Sequence, residues 1–287
     1  MSIVTAAYDK AGLSDGTEGE AQRINDTPGL SEHIATWIEE HRAPQSKYAG
    51  KKVRPAYDYP REYKGPKSMQ QQAEVMLRHF PGFDPEPAFR YYRDVQQKIA
   101  LPNWVEGAFL VPWEDALSRK YFPEVKDPAE MYCRALQLIF QKIAESRSFT
   151  NWRENQIDAA HIRVSQHTRE VMQKMRDQQQ GDFRIQACQL GKRWGGYCVG
   201  LARESFTKGE YGLTSVAGGS IVLVHPERLV RWEELDMDMA GDEFSDDCDG
   251  RFGHAPYFGF SVEAKFGADD VSSPSDNFGS ASGFVSQ

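Results

Sequence analysis

The sequence predicts an α+β protein: a mainly helical N-terminal two-thirds, a smaller sheet-containing C-terminal part, and extended termini. Three observations predict it. Capped segments with helical periodicity gather between residues 68 and 180. Near Gly181 the apolar period switches from about four to two. Both ends of the chain are rich in Asp, Gly and Ser or Thr and poor in apolar patterning. The resulting division is an extended arm with one short helix (1–67), a helical region (68–180), an α+β region (181–267) and a flexible or partner-ordered tail (268–287).

The elements follow in order. Leu30, Ile34, Trp37 and Ile38 trace a short apolar stripe. Residues 43–67 interleave four prolines with Tyr48, Tyr57, Tyr59 and Tyr63, which predicts extended backbone because proline lacks the donor a helix needs. Ser68 and Gln71 form a capping box ahead of Met69, Ala73, Met76 and Phe80, and Pro81-Gly82 ends that helix. Asp84-Pro85 opens a second helix and Asp127-Pro128 a third. A long fourth helix is expected over 155–179 from Ile157, Ala160, Val164, Thr168, Val171 and Met175. Alternation over 183–188 predicts a strand, and 197–206 a short helix. The run 221–224 reads as a strand buried on both faces, or as the end of a buried helix at the same point. Residues 258–266 alternate so regularly that one long strand is expected, with Phe258, Phe260, Val262, Ala264 and Phe266 on its packed face.

Composition limits the function. The 287 residues carry a net charge of −8, with 40% hydrophobic and 12% aromatic residues, enough for a substantial core. A mean hydropathy of −0.63 and the lack of any apolar run near the roughly 20 residues of a membrane span predict no such span. No basic region followed by an apolar stretch opens the chain, so the expected location is cytoplasmic, or within an assembled particle, and not secretion by a signal peptide. Cys133, Cys188, Cys198 and Cys248 lack the spacing of a zinc knuckle or redox pair and read as ordinary buried thiols.

Two charged segments stand out. Between 47 and 67, seven lysines and arginines oppose only Asp58 and Glu62. Lys47, Lys51, Lys52 and Arg54 with Tyr57, Tyr59 and Tyr63 make a partner-binding candidate, a protein subunit or nucleic acid, with Phe278 and Phe284 as apolar anchors near the other end. Between 233 and 249, nine carboxylates meet no cation. Asp236, Asp238 and Asp247 occupy positions 1, 3 and 12 of a calcium-loop template, but position 5 is Ala240 and position 12 lacks the bidentate Glu, so no cofactor is expected beyond a divalent cation there.

The chain contains no G-x-S-x-G elbow, no H-E-x-x-H and no local Cys/His signature. His225 closes the 221–224 run, and His254 follows the acidic segment. The first expectation is therefore a structural or assembly protein of a multicopy particle, such as a virion component, whose extensions contact neighbouring subunits. The alternatives are a soluble enzyme with a dispersed site near His225, His254 and the 236–249 loop, and a nucleic-acid accessory protein using the basic segment.

Overall fold

The computed structural model describes residues 46–286 and, ahead of them, Gly29, His33 and Thr36. The chain divides into two units, Met1–Lys47 and Tyr48–Gln287. In the first, His33 and Thr36 are helical and fall within the expected short helix, and most of the arm expected at 1–29 lies outside the described residues.

In the second unit, local chemistry starts the helices. Ser68 Oγ accepts from the Gln71 amide at 3.3 Å and Gln71 returns the bond to the Ser68 amide at 3.1 Å, which opens α1 (Met69–His79). Asp84 receives the Glu86 amide at 2.9 Å at the start of α2 (Glu86–Asp94). After β1 (Gly107–Pro112) and α3 (Glu114–Tyr121), Asp127 caps α4 (Pro128–Ser146) by accepting from the Ala129 and Glu130 amides, both at 3.0 Å. Helix α4 buries Leu136, Ile139 and Ile143.

The remaining elements are β2 (Phe149–Asn151), β3 (Ile162–Val164), α5 (Gln166–Gln178), β4 (Phe183–Gln189), α6 (Val199–Glu204), β5 (Glu210–Gly212), α7 (Ser215–Val224), β6 (Asp236–Met239), β7 (Asp242–Phe244), β8 (His254–Phe260), β9 (Ala264–Asp270) and β10 (Phe278–Phe284). The ten strands form one mixed sheet with β1-β4-β10-β6-β8-β7-β3 as its path, β9 and then β2 branching from β8, and β5 beside β10. Its linchpin is β10: Phe278–Ala281 run parallel to β6, while Ser282–Phe284 pair antiparallel with β4 on one edge and β5 on the other. Helix α7 is buried along its whole length against α4 and the sheet. Gly218 and Gly219 allow that approach, since a Cβ at either would lie 2.3 Å from Met239 Sδ or 2.7 Å from Ile139 Cγ2.

The expected architecture is thus corrected. The sheet is not confined to a C-terminal part: β1, β2 and β3 lie inside the region read as helical, and the late segment read as an extension supplies the sheet's central strand. The 155–179 helix is only α5, because Asn155 adopts a φ of 66° and the true N-cap is Ser165, 3.4 Å from the Thr168 amide. The 221–224 run ends the buried helix α7, with Thr214 capping through the Ala217 amide at 3.3 Å. The long strand at 258–266 is the hairpin β8–β9, in which Phe258 faces Phe266 and Val262 is 92% exposed at the tip. A three-residue turn centred on Val262 preserves parity, so residues of one alternation class stay on one face through the reversal.

Candidate active site

The antiparallel pairing of β3 with β7 sets Ile162 opposite Phe244, and the next pair outward is closed by the Ser245 amide donating to the His161 carbonyl at 2.8 Å. The loop after Ser245 therefore begins beside His161 and swings back over it. Asp246 anchors its root: Arg153 Nη1 and His254 Nε2 lie 2.9 and 3.3 Å from its carboxylate, and the Gln156 side-chain Nε2 donates to its backbone carbonyl at 3.2 Å. At the far end the Arg163 guanidinium stacks 3.7 Å over the Phe252 ring.

Between these anchors the thiol of Cys248 meets the His161 ring, Sγ lying 2.9 Å from Nε2 and 3.5 Å from Nδ1. His161 Nδ1 lies 2.9 Å from Asp158 Oδ1. That carboxylate also accepts the Ala160 and His161 amides at 2.8 and 3.1 Å, which fixes its direction. Partial burial works to raise the Asp158 carboxyl, but the hydrogen bonds from His161 and the Ala160 amide outweigh it and hold it below its ordinary value. An ionised Asp158 favours the proton on Nδ1, and Sγ, close to both ring nitrogens, lies beside the ring and off the axis of the Nε2 lone pair. Thiol, imidazole and carboxylate thus neighbour one another, the set of groups that thiol acyl transfer uses.

Cys248 has a φ of 53°, in the left-handed region that a non-glycine residue seldom occupies, and this strained placement presents the side chain outward. The amides of Cys248, Asp249 and Gly250 donate to no other described residue. Asp247 and Asp249 flank Cys248 in the sequence and, like it, are exposed.

Most residues singled out from sequence lie elsewhere; Asp247 and His254 are the exceptions. Lys47, in the first unit, is exposed, as are Lys52 and Arg54; Lys51 and Tyr57 are half-buried. Residues 51–58 lie along the second unit itself: the Val53 amide donates to Gly196 and the Ala56 amide to Asp276, at 2.8 and 3.0 Å. Tyr59 and Tyr63 turn inward onto Glu106, the latter at 3.1 Å, and Arg228 stacks 4.2 Å over the Tyr59 ring. Phe278 packs edge-on against Tyr257 and Phe284 against Trp104, both from β10.

Asp236 and Asp238 share one face of β6 with Lys265, 4.0 Å from Asp236, whereas Asp247 sits in the Cys248 loop. Among the described residues no three His, Cys, Asp or Glu side chains gather as metal ligands. Burial pushes the Asp236 carboxyl up to about 7 against the pull of Lys265, and burial with the neighbouring Asp236 and Asp269 pushes Asp238 well above the carboxylate range. His225 caps the C-terminus of α7 between the Phe109 and Tyr63 rings; burial, with Lys67 nearby, pushes it down to about 4, so it is a neutral core histidine. His254 braces Asp246 and so belongs to the loop that carries the thiol.

Sequence reading missed all three members of the triad. Three cysteines are buried, as expected, but Cys248 is exposed. Its partners are 87 and 90 positions upstream, where 155–165 reads as helix, so only tertiary structure unites them. The available signal was a cysteine placed in a segment of acidic and small residues that has no core to join. Comparison with protein-family models, curated proteins and solved structures returns no match. No helix of the described residues is long and apolar enough to cross a membrane.

Proposed function

We propose that this protein is a thiol-dependent acyl-transfer enzyme, a hydrolase or transferase, with Cys248 as nucleophile, His161 as general base and acid, and Asp158 as the residue that orients His161. The observation that carries this reading is the proximity of three groups, Sγ at 2.9 Å from His161 Nε2 and His161 Nδ1 at 2.9 Å from Asp158 Oδ1, and a rotation of the exposed Cys248 side chain brings the thiol onto the Nε2 lone pair. His161 takes the thiol proton as Sγ bonds to the substrate carbonyl carbon. The oxyanion is met by loop amides at 248–250 that have no other acceptor among the described residues. Collapse expels the leaving group, which takes the proton from His161, and a thioester remains on Cys248. Water or another acceptor, deprotonated by His161, then attacks the thioester and restores the thiol. The enzyme alternative expected from sequence has its site near His225, His254 and the 236–249 loop; the site proposed here shares that loop, drops His225, which lies in the core, and uses Cys248, which the sequence reads as an ordinary buried thiol. An assembly role has less support, because Tyr59 and Tyr63, its intended anchors, are engaged by Glu106 within the same chain.

Native-state alkylation tests it directly, since the other three cysteines are buried. Iodoacetamide at pH 6.5 should modify Cys248 about tenfold or more faster in wild type than in His161→Ala, in keeping with general-base assistance. An activated ester such as p-nitrophenyl acetate should leave an acetyl group on Cys248 by mass spectrometry. Equal alkylation rates in the two proteins, with no acyl adduct, would refute the reading.

A further inference from the structure

A cleft of about 520 Å³ opens where the end of β10 meets α2 and α5, within the range of roughly 300–1,000 Å³ typical of small-molecule sites. Tyr91, Ile99, Met175, Ile185 and Phe284 give it apolar walls. Among the described residues no Asp, Glu, Lys, Arg or His side chain lines it. Burial alone raises the Tyr91 hydroxyl above its ordinary value, with no charged neighbour contributing, so that wall is uncharged as well as shielded from water.

Elsewhere in this fold a buried glutamine carboxamide is matched by backbone amides. Gln72, 1% exposed, donates from Nε2 to the Ala108 carbonyl at 3.0 Å and accepts the Leu110 amide on Oε1 at 2.8 Å. Gln179, 3% exposed, holds the carbonyl and amide of Ile185 in the same way, at 3.1 and 2.7 Å. Each side chain thus takes up one C=O and one N–H with its two ends. Gln96, at the start of the short 3-10 turn Gln96–Lys98 that follows α2, is 7% exposed and breaks this pattern. Neither end of its carboxamide meets a partner among the described residues, and neither is sealed off as the Trp113 indole N–H is, because Gln96 lines the cleft. A carboxamide more than nine-tenths buried that opens onto apolar, uncharged walls favours a ligand that brings one donor, one acceptor and no charge.

We propose that this cleft binds a neutral organic molecule with an apolar body and a primary amide or lactam, whose N–H and C=O pair with the two ends of the Gln96 carboxamide while the body lies against Tyr91, Met175 and Phe284. The site is independent of the chemistry assigned to Cys248, because it uses other residues and concerns binding alone.

Ligand-observed NMR titration of the full chain with four probes that share one phenylpropyl body tests it: 3-phenylpropanamide, its N,N-dimethyl derivative, 3-phenylpropanoate and 3-phenylpropylammonium. The primary amide should bind most tightly, and each ion about tenfold or more weakly, since no opposite charge in the cleft replaces its lost hydration. The dimethyl amide keeps the acceptor but has no N–H, and should lose about fivefold. Gln96→Met, similar in length but without the carboxamide, should erase the difference between the two amides. Ile99→Trp, at a half-buried position on the wall, should fill the cleft and abolish binding of all four probes. The melting temperature of each ligand-free variant reports whether it is folded, and the ranking of probes on the wild-type chain decides without either variant. An ion bound as tightly as the primary amide, no saturable binding of that amide up to its solubility limit, an unchanged gap between the amides in folded Gln96→Met, or full binding in folded Ile99→Trp would overturn the proposal.

Discussion

The guanidinium of Arg184 grips both carboxylate oxygens of Glu114 where solvent cannot reach its side chain, and a third contact runs to the Pro112 carbonyl at 3.3 Å. This pair ties β4 to the start of α3 and supports one face of the Trp113 ring. Removing one partner leaves the other charged and buried. Glu114→Gln should therefore destabilise the fold by about 3–5 kcal/mol. Joint replacement of Arg184 by Met and Glu114 by Leu should recover most of that loss, as read by urea unfolding. A single variant as stable as wild type would mean that the pair is hydrated.

Stability should fall as pH rises from about 4 to about 7. Asp236 and Asp242 titrate near 3.8 in an unfolded chain but are pushed up to about 7 in the fold, chiefly by burial. Below both values each state holds the proton, between them only the folded state does, and above about 7 neither does. Their contribution is thus present at low pH and lost through this window, at about 1.4 kcal/mol per unit of difference for each group. Asp238, raised by burial and by the neighbouring Asp236 and Asp269, acts in the same sense. His225, pushed down to about 4 from 6.5, acts in the opposite sense between those values. The readout is therefore the difference between wild type and Asp242→Asn, which should flatten the pH dependence of the unfolding free energy. Parallel curves would show that Asp242 titrates normally.

The β8–β9 hairpin makes a paired prediction. Phe258 and Phe266 face each other, fully buried beside Phe140, so Phe258→Ala should cost about 3–5 kcal/mol. Val262 lies on the same alternation class yet at the exposed tip, and Val262→Lys should change stability by less than about 0.5 kcal/mol. A large loss from Val262→Lys in thermal unfolding would restore the single long strand.

Asp158→Asn tests the third member of the triad. Asparagine keeps the size and can present its amide to His161 Nδ1, which favours the wrong tautomer. The rate of acyl-adduct formation on Cys248 should drop by about 10²- to 10⁴-fold with little change in melting temperature. An unaltered rate would mean that Asp158 serves only as a turn cap for Ala160 and His161.

What was legible in the sequence was local. The Ser68–Gln71 box and the Asp127 cap depend on residues within three positions, so helix starts could be placed from composition and spacing alone. Helix α7 was ambiguous because it is apolar all round and carries no period. Strand β10 was illegible for a different reason. Its sequence of glycine, serine and alanine looks unfoldable, yet a Cβ at Gly279 would lie 2.3 Å from the Gly191 carbonyl oxygen and one at Gly283 would strike the Tyr211 ring. The small residues there answer to neighbours that come close from distant parts of the chain. The three site residues are hidden in the same way, since Asp158 and His161 fall in a stretch that reads as helix and Cys248 shows only an odd placement among acidic and small residues until the β3–β7 register brings them together.

The position of β10 also governs how the protein can be made. Strands β4 and β6 are complete long before residue 284 is synthesised, and neither has its β10 partner until then. At ~5–20 residues added per second, two unfilled sheet edges stay open on the growing polypeptide for several seconds. Open edges of this kind recruit other strands. Yield in the cell should therefore depend on chaperone capacity and elongation rate during that interval more than on the stability of the finished fold.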